Sequence, residues 1–287
     1  METPREEMIE SFHDHSDLSE RLSKHNFRKP DSECCCDVIL RVGTSRFYAH
    51  RFMLGVSSKP LCVMLTGPMR ESKELEVAIN GISSEVMELL LTFIYTGNVE
   101  LSTLNVVPTM AAAEMYELSA LREACKQFAL RHAKHIFRRN VIEPLPEKLL
   151  CELVADENLQ IRESTLLDAV LIWGAARIES EDEEDERRGP QLQTILQDVL
   201  LLIRFPTMSV RTLYGTVKPL VQKQVIPESY LTEALFFHLN WGAAQSPEHQ
   251  KRMTPRPFTL SSRKRKRVSF IQTVSFSSPP DQTNDTL

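Results

Sequence analysis

The chain has 287 residues, 42% of them hydrophobic and 25% charged, with a formal net charge of −5. That length holds one or two domains with a sizeable core, and the balance excludes a globally basic nucleic-acid binder and a disulfide-built miniprotein, since six cysteines are too few for a chain this long. Charge is uneven: acid gathers at Glu179–Glu186 and base at Arg263–Arg267. Met1–Glu10 is acidic without an apolar stretch, which predicts no secretory signal peptide. No apolar run approaches the ~18 residues of a membrane-spanning helix. The expectation is a cytoplasmic and nuclear protein with reduced thiols and no membrane contact.

In chain order, residues 1–15 are polar and are expected to be a flexible N-terminus. Asp17 fits an N-cap with Glu20 three positions on, and Leu18 and Leu22 fall at helical spacing. So short an apolar face does not hold a helix alone and must dock on something. Asp37–Val42, Gly43–Thr44 and Ser45–Ala49 predict strand, tight turn, strand. A helix is expected over Met53–Leu65, stopped at Thr66-Gly67-Pro68, then a strand over Leu75–Ile79. Ser83 caps a helix whose Val86, Leu89, Leu90, Phe93 and Ile94 share one face, and Gly97 ends it.

Further helices are expected near Val106–Tyr116 and Ser119–Lys134, the first starting close to Pro108. From Pro146 on the pattern is helical: Glu147–Val154, Glu163–Arg177, Leu192–Ile203, Val210–Pro219 and Glu228–Leu239. The acid-rich stretch Glu179–Gly189 reads as a solvated loop between two of them, because like charges at that density repel. From Ala243 onward Pro, Ser, Thr and Gln dominate without periodicity, which predicts a disordered tail. The physical reading is a mixed α/β module followed by an all-helical one.

The segment CDVILRVGTSRFYAHRFMLGVSSKPLCVMLTGPMRESKELEV, followed by FIYTGNVEL, resembles a BTB/POZ domain. Its landmarks here are Asp37, Ala49-His50, Met69-Arg70-Glu71-Ser72 and Phe93-Ile94-Tyr95-Thr96-Gly97. Residues from about Val141 to Leu239 are similar to the BACK domain that often follows BTB, through Pro146-Glu147, Leu166–Trp173 and Ile203-Arg204-Phe205-Pro206. The resemblance implies an α+β BTB/POZ domain over residues 16–137 with an N-terminal dimerisation helix. It implies an all-α BACK domain over 138–242, with the acidic loop at 179–189, and leaves 243–287 as a disordered basic tail. Many BTB–BACK proteins continue into kelch repeats, but nine glycines are too few for a β-propeller in this chain.

The resemblance also implies partners. Met69-Arg70-Glu71 fits the hydrophobic-x-glutamate motif with which BTB adaptors contact cullin-3: Met69 offers an adaptable apolar knob and Glu71 a directional charged contact. The other reading of Met69 and Glu71 is plain membership of the fold. Leu18 and Leu22 would pack across a two-fold axis in a dimer, homo- or heteromeric, or else dock on their own domain.

No catalytic, cofactor-binding or metal-binding residue is assigned. His50 reads as structural, joining strand to helix. Adjacent Cys34, Cys35 and Cys36 match no zinc-ligand spacing, and His132 and His135 lack a second ligand pair. No phosphate-loop, dinucleotide, H-E-x-x-H or G-x-S-x-G motif is found, so an enzyme is not expected.

The tail carries two overlapping signals. Arg263, Lys264, Arg265, Lys266 and Arg267 form either a nuclear import signal or a solubilising run, with no aromatics for specific nucleic-acid reading. Lys266-Arg267-Val268-Ser269-Phe270 resembles the RVxF motif that docks on protein phosphatase-1. In an extended strand Val268 and Phe270 point to one side. Ser269 lies behind two basic residues, as basophilic kinases favour, and its phosphate would oppose docking on an acidic surface. The functional expectation is a dimeric adaptor that recruits an unidentified client to a cullin-3 ubiquitin ligase. The alternative is a nuclear scaffold or transcriptional co-regulator without a ligase role.

Overall fold

The structure, a computed structural model, describes residues 9–12, 27–28, 36–68, 73–178, 185–239 and 251–257. Leu18 and Leu22, Met69–Ser72, Cys34 and Cys35, and the whole of 263–270 lie outside those residues.

The first module is built around a small sheet of order β3-β2-β4. Strands β2 (Val38–Val42) and β3 (Ser45–Ala49) form the expected hairpin, with Leu40 opposite Phe47. Val38, Leu40 and Val42 alternate inward, as a sheet with one face on a core requires. Strand β4 (Glu76–Ala78) pairs parallel to β2, so the chain must cross over between them. Helices α1 (Arg51–Ser57) and α2 (Lys59–Thr66) make that crossover. The single helix expected over Met53–Leu65 is thus two, for a local reason. Ser58 is extended, its Oγ accepts from Leu61 N at 3.2 Å and donates to Tyr116 O at 2.7 Å, and Pro60 sits in the new first turn.

Helix α3 (Ser84–Thr96) starts on the Ser83 cap and stops at Gly97, whose φ of +70° places it in the left-handed region. Strand β5 (Val99–Ser102) follows and pairs antiparallel with β1 (Ile9–Phe12). The N-terminal stretch expected to be loose therefore carries a strand, because the β5 edge offers backbone partners that polar composition does not announce. Helices α4 (Val106–Met115) and α5 (Ser119–Arg131) pack side by side. Two short turns of helix, α6 (Ala133–Ile136) and α7 (Arg139–Ile142), lead into the second module.

There α8 (Glu147–Ala155) and α9 (Glu163–Ala175) match the expected helices closely. Buried Trp173 donates its indole N–H to Leu145 O at 2.8 Å. The Arg177 guanidinium lies 3.6 Å above the Trp173 ring and donates to Leu145 O and Glu143 O, which pins the proline-bounded turn ahead of α8. Helix α10 (Asp185–Leu200) begins seven residues earlier than Leu192, so the end of the acidic stretch is helical rather than loop. Acidic residues suit the positive N-terminal end of a helix.

The helix expected over Val210–Pro219 is present and runs on to Gln222, as α11 (Val210–Thr212) and α12 (Lys218–Gln222) joined by a π-turn at Leu213–Val217. Pro219 has no N–H for the carbonyl four residues back, which favours such a slip in the ladder. Helix α13 (Glu228–His238) packs on the 3-10 turn Phe205–Thr207, with Phe205 and Tyr230 rings stacked at 5.4 Å. Within the stretch expected to be tail, residues 251–257 lie against this module, tied to it by ion pairs of Lys251, Arg252 and Arg256. One continuous buried cluster runs from Val38 to Ala234 through both modules.

Gly189 is where α10 crosses the turn after α12, and a Cβ there would sit 1.8 Å from Lys223 O. Gly189→Ala should therefore destabilise by about 1–3 kcal/mol in thermal or urea unfolding. Gly215→Ala, in open space, should stay within about 0.5 kcal/mol.

Candidate interaction surfaces

The sheet module is organised at the junction of β2, β3 and α1. Asp37 N donates to Ala49 O at 3.2 Å, and Asp37 Oδ1 accepts from Arg51 N at 2.7 Å. The Arg51 guanidinium then reaches away from the hairpin: Nη1 donates to Leu65 O at 2.6 Å and Nη2 to Glu74 O. Leu65 and Glu74 stand on either side of Met69–Ser72. One planar fork therefore joins the end of α2 to the approach to β4 and sets the span between them. Nothing in the local sequence marks Arg51 for this task, since both acceptors are backbone carbonyls distant in the chain.

His50 has the structural role expected of it. Its backbone N–H donates to Tyr95 Oη at 2.9 Å, and its Nδ1 lies 2.8 Å from the same oxygen. The tyrosine hydroxyl thus meets both the backbone N–H and the ring of His50, joining the start of α1 to α3. Phe27 closes the site from above, its ring edge-on to Tyr95 at 5.0 Å.

Helix α1 turns an apolar face outward. Phe52 is 75% exposed and Val56, one turn later, 73%. Val63 and Leu75 are exposed as well. Residues this apolar, spaced four apart, mark an association surface more often than a solvated one.

The two modules meet along α5 and α8. Lys126 bridges Asp156 at 3.0 Å and Glu152 at 3.3 Å, and Arg122 pairs with Glu152. Glu114 receives Lys148 and also faces Arg122, whose Nε is 2.5 Å away but lacks hydrogen-bond alignment, so this contact is ionic only. Lys148 holds the Glu114 carboxyl below its usual range, against a smaller opposing effect of burial. Burial alone would lower Lys126, but its bonds to Asp156 and Glu152 outweigh it and raise the ammonium. Burial likewise would raise Asp156, yet the Asn158 amide and Lys126 hold it low.

Among the described residues no group of three His, Cys, Asp or Glu side chains is placed to hold a metal, and no helix is long and apolar enough to cross a membrane. The Cys125 thiol is pushed up to about 12 by burial, far from a thiolate at neutral pH.

The sequence model of the BTB/POZ domain matches residues 26–133, and that named BTB And C-terminal Kelch matches residues 106–218. The chain is a BTB–BACK protein. Kelch-like protein 24a of Danio rerio is 28% identical over 289 residues, covering 88% of this chain and 46% of the relative. Kelch-like protein 24 of Homo sapiens is 28% identical over 257 residues, covering 77% of this chain and 41% of the relative. The chain therefore spans less than half the length of these relatives. The BTB domain of zebrafish PATZ1 aligns at 27% identity with a TM-score of 0.34, over 39% of this chain and 91% of that one. The BTB domain of human gigaxonin aligns at 24% and 0.33, over 39% and 86%. The two family matches overlap across α4 and α5, the helices that carry the upper half of the ionic seam.

The seam gives a pH signature of defined sign. Folded-state lowering of Glu114 and Asp156 stabilises above their ordinary values of 4.5 and 3.8, and is lost as pH falls through the lower folded values. Raised Lys126 stabilises below its ordinary 10.5 and is lost only as pH rises through its higher folded value. The melting temperature should be flat across neutral pH and fall below about pH 4. Asp156→Asn should cost about 1–2 kcal/mol at pH 7 and make the acid-side fall shallower.

Proposed function

We propose that this BTB–BACK chain is a dimeric adaptor that brings a client to a cullin-3 ubiquitin ligase. Met69 and Glu71 would form the cullin contact, and the helical module would be the arm that positions the client. The observation that carries the reading is the Arg51 fork. It holds Leu65 and Glu74, on either side of the segment bearing Met69 and Glu71, to one side chain, and such fixed ends support a recognition segment. The adaptor supplies proximity, and the chemistry belongs to the recruited enzymes.

The dimer reading has its own support in Phe52 and Val56. Leu18 and Leu22 of a second copy would cover that outward face, and a two-fold axis would bury it twice. Each fully buried leucine contributes about 1.5–3 kcal/mol.

The alternative is a nuclear scaffold or co-regulator without a ligase role. Import through Arg263–Arg267, phosphatase-1 docking through Arg267, Val268 and Phe270, and phosphorylation of Ser269 belong to it. They rest on the residues of the tail alone.

Two measurements test the proposal. Met69→Ala/Glu71→Ala should lower cullin-3 capture at least tenfold, or about 1.4 kcal/mol, with melting temperature and dimer unchanged. Wild-type protein that captures no cullin at micromolar concentration would sink the ligase reading and leave the scaffold. In light scattering, Leu18→Asp/Leu22→Asp and Phe52→Asp/Val56→Asp should each give monomer or aggregate, and a stable dimer from both would move the interface elsewhere.

A further inference from the structure

Glu163 opens α9 and is only 6% exposed. Its Oε2 accepts from the Arg204 backbone N–H at 3.1 Å, and its Oε1 accepts from Arg256 Nε at 2.7 Å. Arg256 is 1% exposed, with Nη1 donating to Asp156 O at 2.6 Å and Nη2 to Val154 O at 2.8 Å. A guanidinium used on all its edges inside a protein is well compensated, and the slot around it has the shape of a guanidinium.

The rest of residues 251–257 is held in the same way. Arg204, itself 3% exposed, donates to Thr254 O at 2.8 Å and to Glu157 Oε1 at 2.6 Å. Lys251 pairs with Glu157 at 3.3 Å; burial would raise the Glu157 carboxyl, but Arg204 and Lys251 outweigh it and hold it below its usual range. Arg252 pairs with Glu233 at 3.0 Å and lies over the Tyr230 ring at 4.9 Å. Two subsites thus read two arginines four residues apart, one at the start of α9 and one on α13. Eleven residues of sequence separate Leu239 from Lys251, so the ligand of the slot belongs to the same chain as the slot.

We propose that this slot is a peptide-binding site for basic segments with arginines at i and i+4, occupied in cis by the chain's own 251–257. Its ligand is recognised by Glu163, the carbonyls of Val154 and Asp156, and the Glu233–Tyr230 pair. Because the strap is part of the same chain, its effective concentration at the slot is on the order of millimolar, and the site is closed to other peptides until the strap leaves. A partner bearing such a segment competes for the slot and releases the chain beyond Pro257. The proposal uses none of the residues of the cullin reading and does not rest on it.

The test uses the full-length chain with a specific protease site inserted between Leu239 and Lys251, which leaves every slot residue intact. Before cutting, a fluorescent capped peptide of residues 251–257 should bind at least tenfold more weakly than after cutting. The same peptide carrying Arg256→Ala should not bind the cut protein, and neither should wild-type peptide bind a cut Glu163→Gln variant. In uncut wild type, trypsin cleavage after Arg252 should be at least tenfold slower than in uncut Arg256→Ala. Equal peptide binding before and after cutting, a cut fragment that excess peptide never displaces, or rapid trypsin cleavage of wild type would each overturn the proposal.

Discussion

The contact of α5 with α8 decides what kind of object this chain is. Leu121, Cys125 and Phe128 on one helix and Leu149, Leu150 and Leu153 on the other belong to a single buried cluster. The backbone continues the join where Gln160 N donates to Leu130 O at 3.1 Å. Burial supplies most of the stability here, at about 1.5–3 kcal/mol per side chain, whereas partly exposed ion pairs give about 1 or less each. The ion pairs do something burial cannot: alternating charge from Glu114 through Arg122, Glu152 and Lys126 to Asp156 permits one register and penalises others. The modules therefore do not swing freely, and a group bound on the sheet side keeps a set orientation to one bound on the helical side.

That seam also explains why two family patterns claim the same residues. Helices α4 and α5 complete the core under α3 on one face and offer Arg122 and Lys126 to α8 on the other. A domain boundary drawn at 137 follows the chain. The physical division is a shared layer.

What could be read from the sequence was what repeats locally. The hairpin at Val38–Ala49 and the helix after Ser83 follow from alternation, spacing and caps within a few residues. The features that failed depend on distant partners: Ser58 breaks a helix because Tyr116 O accepts its hydroxyl, and Ile9–Phe12 is a strand because β5 has an edge. Arg51 and Arg256 look like ordinary surface cations, since their acceptors are mostly carbonyls with no sequence signature. A buried arginine in a segment rich in polar residues is invisible until Glu163, 93 residues earlier, is beside it.

The Arg51 fork has a consequence for affinity. A loop that binds a partner loses conformational entropy, about 1–2 kcal/mol for each backbone residue that becomes fixed. Tying Leu65 and Glu74 to one side chain fixes the separation of two points nine residues apart in the chain. Points whose separation is already fixed have less entropy left to lose when a partner meets the chain there. A lysine at position 51 would keep the charge but has no fork to hold both carbonyls in one plane.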